Sequence, residues 1–142
     1  VIEFQRPVRF EDVDAAGIVF FARFFNYCHE AMEAFFAGVQ GGYVGLVMGR
    51  HEGFPAVRVE CDYLAPLRYG DTARICVQVE QVGTTSCTFR YDMYRAADGT
   101  KAASVRHVVV HADLQKLAKL PFDAELRALL EAHLVPAQAT SA

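Results

Sequence analysis

The chain lacks most of the features that mark large function classes. Its 142 residues contain no block of lysine and arginine, and a net charge of -3 offers no footprint for nucleic acid, although a small anionic ligand stays compatible with it. No apolar run approaches the ~20 residues that cross a bilayer, so no membrane span is expected. No apolar signal region stands at the N-terminus, and Cys28, Cys61, Cys76 and Cys87 form no C-x-x-C pair. Buried, reduced thiols in a cytoplasmic protein are therefore expected, without zinc or thioredoxin-like chemistry. A G-x-S-x-G nucleophile elbow, a P-loop and a G-x-G-x-x-G fingerprint are all missing, which sets aside α/β serine hydrolases and nucleotide folds. His107 and His111 have a metal-like H-x-x-x-H spacing, but the three valines between them predict a strand. Four strand residues span roughly 13 Å, too far for one ion, so both histidines are expected in a sheet-surface role and no metal site is expected.

What the chain does have is apolar material in two clean periods. With 53% hydrophobic residues it holds enough for one core and one domain. Residues 4–12 alternate as a strand, and Pro7 marks it as an edge strand. From Phe20 to Gly38 the period becomes helical: Phe21, Phe24, Phe25, Cys28, Met32, Phe35 and Phe36 share a face opposite Arg23, Asn26, Glu30 and Glu33. Residues 43–51 are ambiguous, with a short second helix as one option. After Pro55 alternation returns in strands around Val57–Tyr63, Ala73–Glu80, Phe89–Tyr94 and Ala102–Ala112. Turn residues at 69–71, 83–85 and 97–99 suggest consecutive antiparallel neighbours. The Val108-Val109-Val110 centre is apolar on both faces, which asks for a second burial partner such as another subunit. A short amphipathic helix near Asp123–His133 follows, and residues 136–142 are expected to be a disordered tail. One long helix and one curved antiparallel sheet of about five strands predict an α+β roll over residues 1–135.

Chemistry concentrates in Glu11-Asp12-Val13-Asp14-Ala15-Ala16-Gly17. Aspartates before a glycine turn commonly bond the local backbone. Asp14 also lies just upstream of an apolar helix whose first N–H groups are unpaired and partly positive. A carboxylate beside such donors is the minimum equipment for acyl transfer. Asp12 is expected to organise the turn.

The run D-V-D-A-A-G-I-V-F-F (Asp12–Phe21), the helix after it and Y-L-A-P-L-R-Y-G-D (Tyr63–Asp71) together resemble the hotdog-fold acyl-CoA thioesterases of the 4-hydroxybenzoyl-CoA thioesterase family. The segment Cys28-His29-Glu30-Ala31, with Glu33 after it, further resembles the 1,4-dihydroxy-2-naphthoyl-CoA thioesterase branch. The resemblance covers residues 4–112. It implies a hotdog fold, Asp14 as catalytic nucleophile or general base, the Phe21 backbone N–H as oxyanion donor and Gly17 as the tight turn. It further implies that Phe25, His29, Val57 and Ser86 approach the substrate. Coenzyme A is then part of the substrate and no separate cofactor is needed. The site would lie between two subunits of a dimer or a dimer of dimers. His29 stands where the 4-hydroxybenzoyl enzyme has an aspartate, which turns expectation from 4-hydroxybenzoate toward another aromatic acyl group. The basic residues that some members carry at the turn near Ser86 are missing, so no contact to the nucleotide is assigned. No histidine follows Asp14 in its loop, which disfavours the hydratases of this fold. The expected activity is hydrolysis of an aromatic or bulky acyl-CoA; the alternatives are an acyl-carrier-protein thioesterase and a non-catalytic acyl-CoA-binding module.

Overall fold

In the computed structural model, which describes residues 1–136, the elements run β1 (Ile2–Pro7), α1 (Arg23–Phe35), α2 (Gly42–Val44), β2 (Glu52–Gly53), β3 (Ala56–Tyr63), β4 (Thr72–Val82), β5 (Ser86–Arg95), β6 (Lys101–Val110), β7 (Ala112–Asp113), β8 (Ala118–Lys119) and α3 (Ala124–Ala132). The expected tail from residue 137 on lies outside the described residues.

Five antiparallel strands form the main sheet in the order β1-β4-β5-β6-β3. Alternation puts Ile75, Val77, Val79, Phe89, Tyr91 and Met93 on one face, where all are fully buried. Against that face lies α1, which buries Phe24, Tyr27, Cys28, Ala31, Met32 and Phe35 at three- and four-residue spacing. Phe35 meets Phe89 edge-on with ring centres 5.3 Å apart. The result is the expected helix wrapped by a sheet. On the opposite face, long charged side chains cover the backbone and one another. There Gln78 Nε2 donates to Asp92 at 2.8 Å, Arg90 Nη2 donates to Ser104 Oγ at 2.9 Å, and Arg90 pairs with Glu80 at 3.3 Å.

Several boundaries differ from the sequence expectation. The first strand stops at Pro7, because residues 10–12 wind into a single 3-10 turn that leaves Phe10 exposed. Regular α1 begins at Arg23 rather than Phe20, since the chain before it is held by Val19 N–H to Leu67 O and Phe20 N–H to Asp12 O, at 2.8 and 3.0 Å. β4, β5 and β6 are consecutive antiparallel neighbours as expected, but β3 does not lie beside β4. β3 pairs with β6 at one edge, and residues 64–71 cross to β4 beside β1. Pro7 does end an edge strand, as expected.

The last long strand breaks at Val110, and two short pieces after it, Ala112–Asp113 and Ala118–Lys119, join Glu52–Gly53 in a second sheet, β2-β7-β8. His111 is accordingly no surface residue. Its ring is buried between Phe54 and Phe122, stacked 5.2 Å from each, with Nδ1 3.0 Å from the Leu120 carbonyl and Nε2 against Glu52. His107 also faces inward, beside Tyr91. No group of three or more potential metal-binding side chains occurs among the described residues. All four cysteines are free thiols, but only Cys28 and Cys87 are buried; Cys61 and Cys76 are half-buried. In the valine run Val109 is buried, while Val108 and Val110 are half-buried. Among the described residues no helix is long and apolar enough to cross a membrane.

Candidate active site

Asp12 and Asp14 separate sharply once folded. Asp12 is 1% exposed. Its Oδ2 accepts from the Arg9 N–H at 2.9 Å, Arg6 Nη1 at 3.0 Å and the Tyr27 hydroxyl at 2.8 Å. Burial opposes its charge, but the Arg9 N–H, the Tyr27 hydroxyl and the Arg6 cation outweigh it and hold the carboxyl below the usual range. Arg6 also reaches Glu30 on α1 at 3.1 Å. The expectation that Asp12 organises the turn is met, and extended: it joins the strand β1, the turn and the helix α1. Its Oδ1 is the one fully buried side-chain polar atom without a partner among the described residues.

Asp14 is exposed and sits at the head of a tight turn. Its N–H donates to Ile18 O at 3.0 Å, and Gly17 N–H returns to Asp14 O at 2.9 Å. Gly17 has φ +80° with no atom within 4 Å of where a Cβ would stand, so the glycine serves backbone conformation and not close packing. Asp14 Oδ1 accepts the Ala16 N–H at 2.8 Å, while Oδ2 takes no hydrogen bond among the described residues. One oxygen is fixed and the other is free to react.

Asp14 lines a groove of about 520 Å³ between the turn, the start of α1 and the end of β3, walled also by Ile18, Phe21, Phe24, Tyr63, Leu64 and Pro66. The volume lies within the ~300–1,000 Å³ of small-molecule sites. At its edge α1 starts without a side-chain cap, and the Phe21 N–H donates to no acceptor among the described residues. Carbonyl recognition by that N–H is thus sterically and electrostatically open. Tyr63 fixes the helix start: its hydroxyl donates to Phe21 O at 2.8 Å, and its ring meets Phe24 edge-on at 5.0 Å. Burial, then Cys61, push the Tyr63 hydroxyl up to about 12, so it remains a donor.

The structure therefore brings Asp14 and Phe21 to one groove, with Gly17 in the turn that carries Asp14. Phe25 and His29 line a second cavity along the same helix. His29 Nε2 is 3.1 Å from Glu33 and its ring is 5.9 Å from that of Tyr43. Val57 is 62% exposed on β3, and Ser86 opens β5 opposite Val110; neither lines the Asp14 groove within one chain. Phe21 and Phe25, placed on the core face from periodicity, are 60% and 41% exposed, whereas Tyr27 is buried. Tyr63, Leu64 and Pro66 were not singled out as site residues. Their signal was present in the Y-L-A-P run, which turns the end of β3 into the groove wall.

Comparison with known proteins places this geometry. The family model described as the Thioesterase-like superfamily matches residues 8–130. A 1,4-dihydroxy-2-naphthoyl-CoA hydrolase from Nostoc punctiforme is 30% identical over 118 residues, covering 83% of this chain and 80% of that protein. The crystal structure of a thioesterase superfamily protein from Jannaschia sp. CCS1 superposes with a TM-score of 0.86 at 26% identity, covering 94% of this chain and 93% of that one. A gentisyl-coenzyme A thioesterase superposes with a TM-score of 0.80 at 28% identity, covering 89% of this chain and 99% of that one. With the family match spanning the turn, the helix and four of the five strands of the main sheet, the chain belongs to the thioesterase-like superfamily and has its hotdog fold.

Proposed function

We propose that this protein hydrolyses the thioester of an aromatic acyl-CoA to the free acid and coenzyme A, with Asp14 as the catalytic carboxylate. The observation that carries the assignment is the shared groove: Asp14, with its Oδ2 free, and Phe21, with its N–H unpaired, line one apolar site. The N–H donates to the thioester oxygen and stabilises the negative charge that develops there. Asp14 then acts either by attacking the carbonyl carbon, giving an acyl-enzyme anhydride that water opens, or by taking a proton from an attacking water. Thiolate leaves in both routes, and no cofactor beyond the coenzyme of the substrate takes part. The names of the relatives, a dihydroxynaphthoyl-CoA hydrolase and a gentisyl-coenzyme A thioesterase, support a hydroxylated aromatic acyl group.

The groove is open on the side of β3, which pairs only with β6 and leaves its other edge of backbone groups free. Two chains meeting along β3 would close it, and this is also the route by which Val57 or Ser86 of a second subunit could approach Asp14. We propose a dimer as the catalytic unit, and a dimer of dimers as its further assembly.

A panel of aryl, short-chain and long-chain acyl-CoA and acyl-carrier-protein thioesters tests the assignment. Aryl-CoA turnover that falls more than ~100-fold in Asp14→Ala, with unchanged ligand affinity and melting temperature, is expected for loss of a reacting group. No cleavage of any thioester, with Asp14→Asn unaltered in every property, sinks it.

A further inference from the structure

Beyond the Asp14 groove, α1 and the strands β3 and β6 enclose a second cavity of about 230 Å³, lined by Phe25, Cys28, His29, Val59, Val105 and His107. It lies further along the same helix and the same strand. Phe21 and Phe24 wall the groove and Phe25, Cys28 and His29 wall the cavity on the next turns of the same helix, while β3 runs alongside from Tyr63 to Val59. From Arg23, where α1 begins, to His29 the helix rises ~9 Å, a span that an aromatic ring fills with a hydrogen bond at either end. The cavity is smaller than a drug-sized site, so it admits a ring and not a long chain.

One polar device stands in this apolar lining. Tyr91, fully buried, has its hydroxyl 3.2 Å from His107 Nδ1 and no other partner among the described residues. Among the described residues Nδ1 is the only acceptor within reach of this fully buried hydroxyl, so the phenol donates to it; the opposite direction would leave the buried hydroxyl proton without a partner. The histidine proton then resides on Nε2. Burial, then the nearby His29, also lower the His107 imidazolium, leaving a neutral ring near pH 7. Nε2 has no protein partner, yet it is not a fully shielded atom; among the described residues only Asp12 Oδ1 is both shielded and unpartnered. His107 lines the cavity, and its Nε2–H is a donor without a partner among the described residues.

We infer that this cavity seats the ring of a hydroxyaryl acyl group, and that His107 is a specificity residue whose Nε2–H donates to the ring hydroxyl farthest from the thioester. The inference rests on the aryl-CoA thioesterase reading. Tyr91 is then a positioning residue, fixing the tautomer of His107.

The test compares 1,4-dihydroxy-2-naphthoyl-CoA with 1-hydroxy-2-naphthoyl-CoA, which differ only in the distal hydroxyl. The wild type is expected to favour the dihydroxy substrate in kcat/KM by about tenfold or more, as for a site left with an unpaired donor by the other. His107→Phe should bring that ratio near unity, His107→Gln should retain part of it, and Tyr91→Phe should reduce it while shifting the His107 ring resonances. A ratio unchanged in His107→Phe overturns the inference while leaving the thioesterase reading intact. A second measurement is independent of turnover and of variant folding: 1,4-dihydroxy-2-naphthoate is titrated into wild-type protein and the imidazole nitrogens are followed by NMR. A saturable shift at His107 Nε2 supports the site even if no thioester is cleaved; binding that leaves His107 unmoved, or no binding, overturns it.

Discussion

Asp12 and Asp14 are two residues apart, yet the fold gives them opposite tasks. Asp12 receives three donors through one oxygen and is sealed, so its charge is part of the core. Asp12→Asn should destabilise the protein by about 3 kcal/mol, because Arg6 then loses one of its two carboxylate partners in a buried setting. Turnover per folded molecule should persist. The pH dependence follows from the lowered folded-state value: the contribution of Asp12 is fully present above the unfolded carboxyl value of about 4 and disappears as pH falls through the lower folded value. Thermal unfolding of wild type should therefore lose stability faster than Asp12→Asn below about pH 4. If the two fall in parallel, the Arg6 pair contributes nothing. Gly17→Ala probes the turn that carries Asp14. With φ +80° and open space around the site, its cost is conformational only, ~1 kcal/mol in the melting curve. Because the same strain moves the Asp14 carboxylate, kcat should drop by more than that stability loss explains. Equal drops would assign Gly17 to folding alone.

At the scale of elements, α1 was legible because seven of its neighbourhood's apolar residues repeat at helical spacing, and β4, β5 and β6 because they alternate. What periodicity does not carry is which apolar residues face the core and which face a cavity. Phe21 and Phe25 obey the same spacing as Phe24 and Cys28 and line the same two cavities, but they stay exposed at the cavity mouths whereas Phe24 and Cys28 are buried beneath. Nor does a turn residue state which strand lies next: Gly70 bends the chain equally well into a hairpin or at the end of a crossover, and the pairing of β3 with β6 is a tertiary choice. The β2-β7-β8 sheet is built from two-residue strands, too short to show a period, so its histidine looked like a surface residue. His111→Ala should cost about 3 kcal/mol, since it opens a gap between two aromatic rings, removes the side-chain partner of the Leu120 carbonyl and leaves Glu52 with Arg50 alone. Hydrogen exchange should rise first in residues 112–132 and leave β4 and β5 protected. Uniform loosening of the whole sheet would show that the small sheet is no separate unit.

At the scale of the molecule, the D-V-D-A-A-G motif pointed directly to the carboxylate proposed to react and to the helix start, whereas the rest of the proposed site depends on what one chain leaves uncovered. Along β3 the outward edge is unpaired, Val57 and Val59 are exposed, and Phe21 and Phe25 add apolar surface from the helix beside it. A long edge strand with an apolar side is a standing invitation to pair with another chain, and pairing two of these edges would merge the sheets while roofing both grooves. A charge placed on that edge separates assembly from folding. Val57→Asp lies outside the core, so its circular dichroism and melting of the single chain should change little, while burial of an unpaired carboxylate against a second copy is unfavourable by several kcal/mol. Light scattering should show twice the chain mass or a higher even multiple for wild type and a shift toward a single chain for the variant. Aryl-CoA turnover should fall with it and recover as protein concentration rises. A variant that keeps its mass and its activity would place the partner on another face; one that becomes a single chain with full turnover would make the groove of one subunit sufficient by itself.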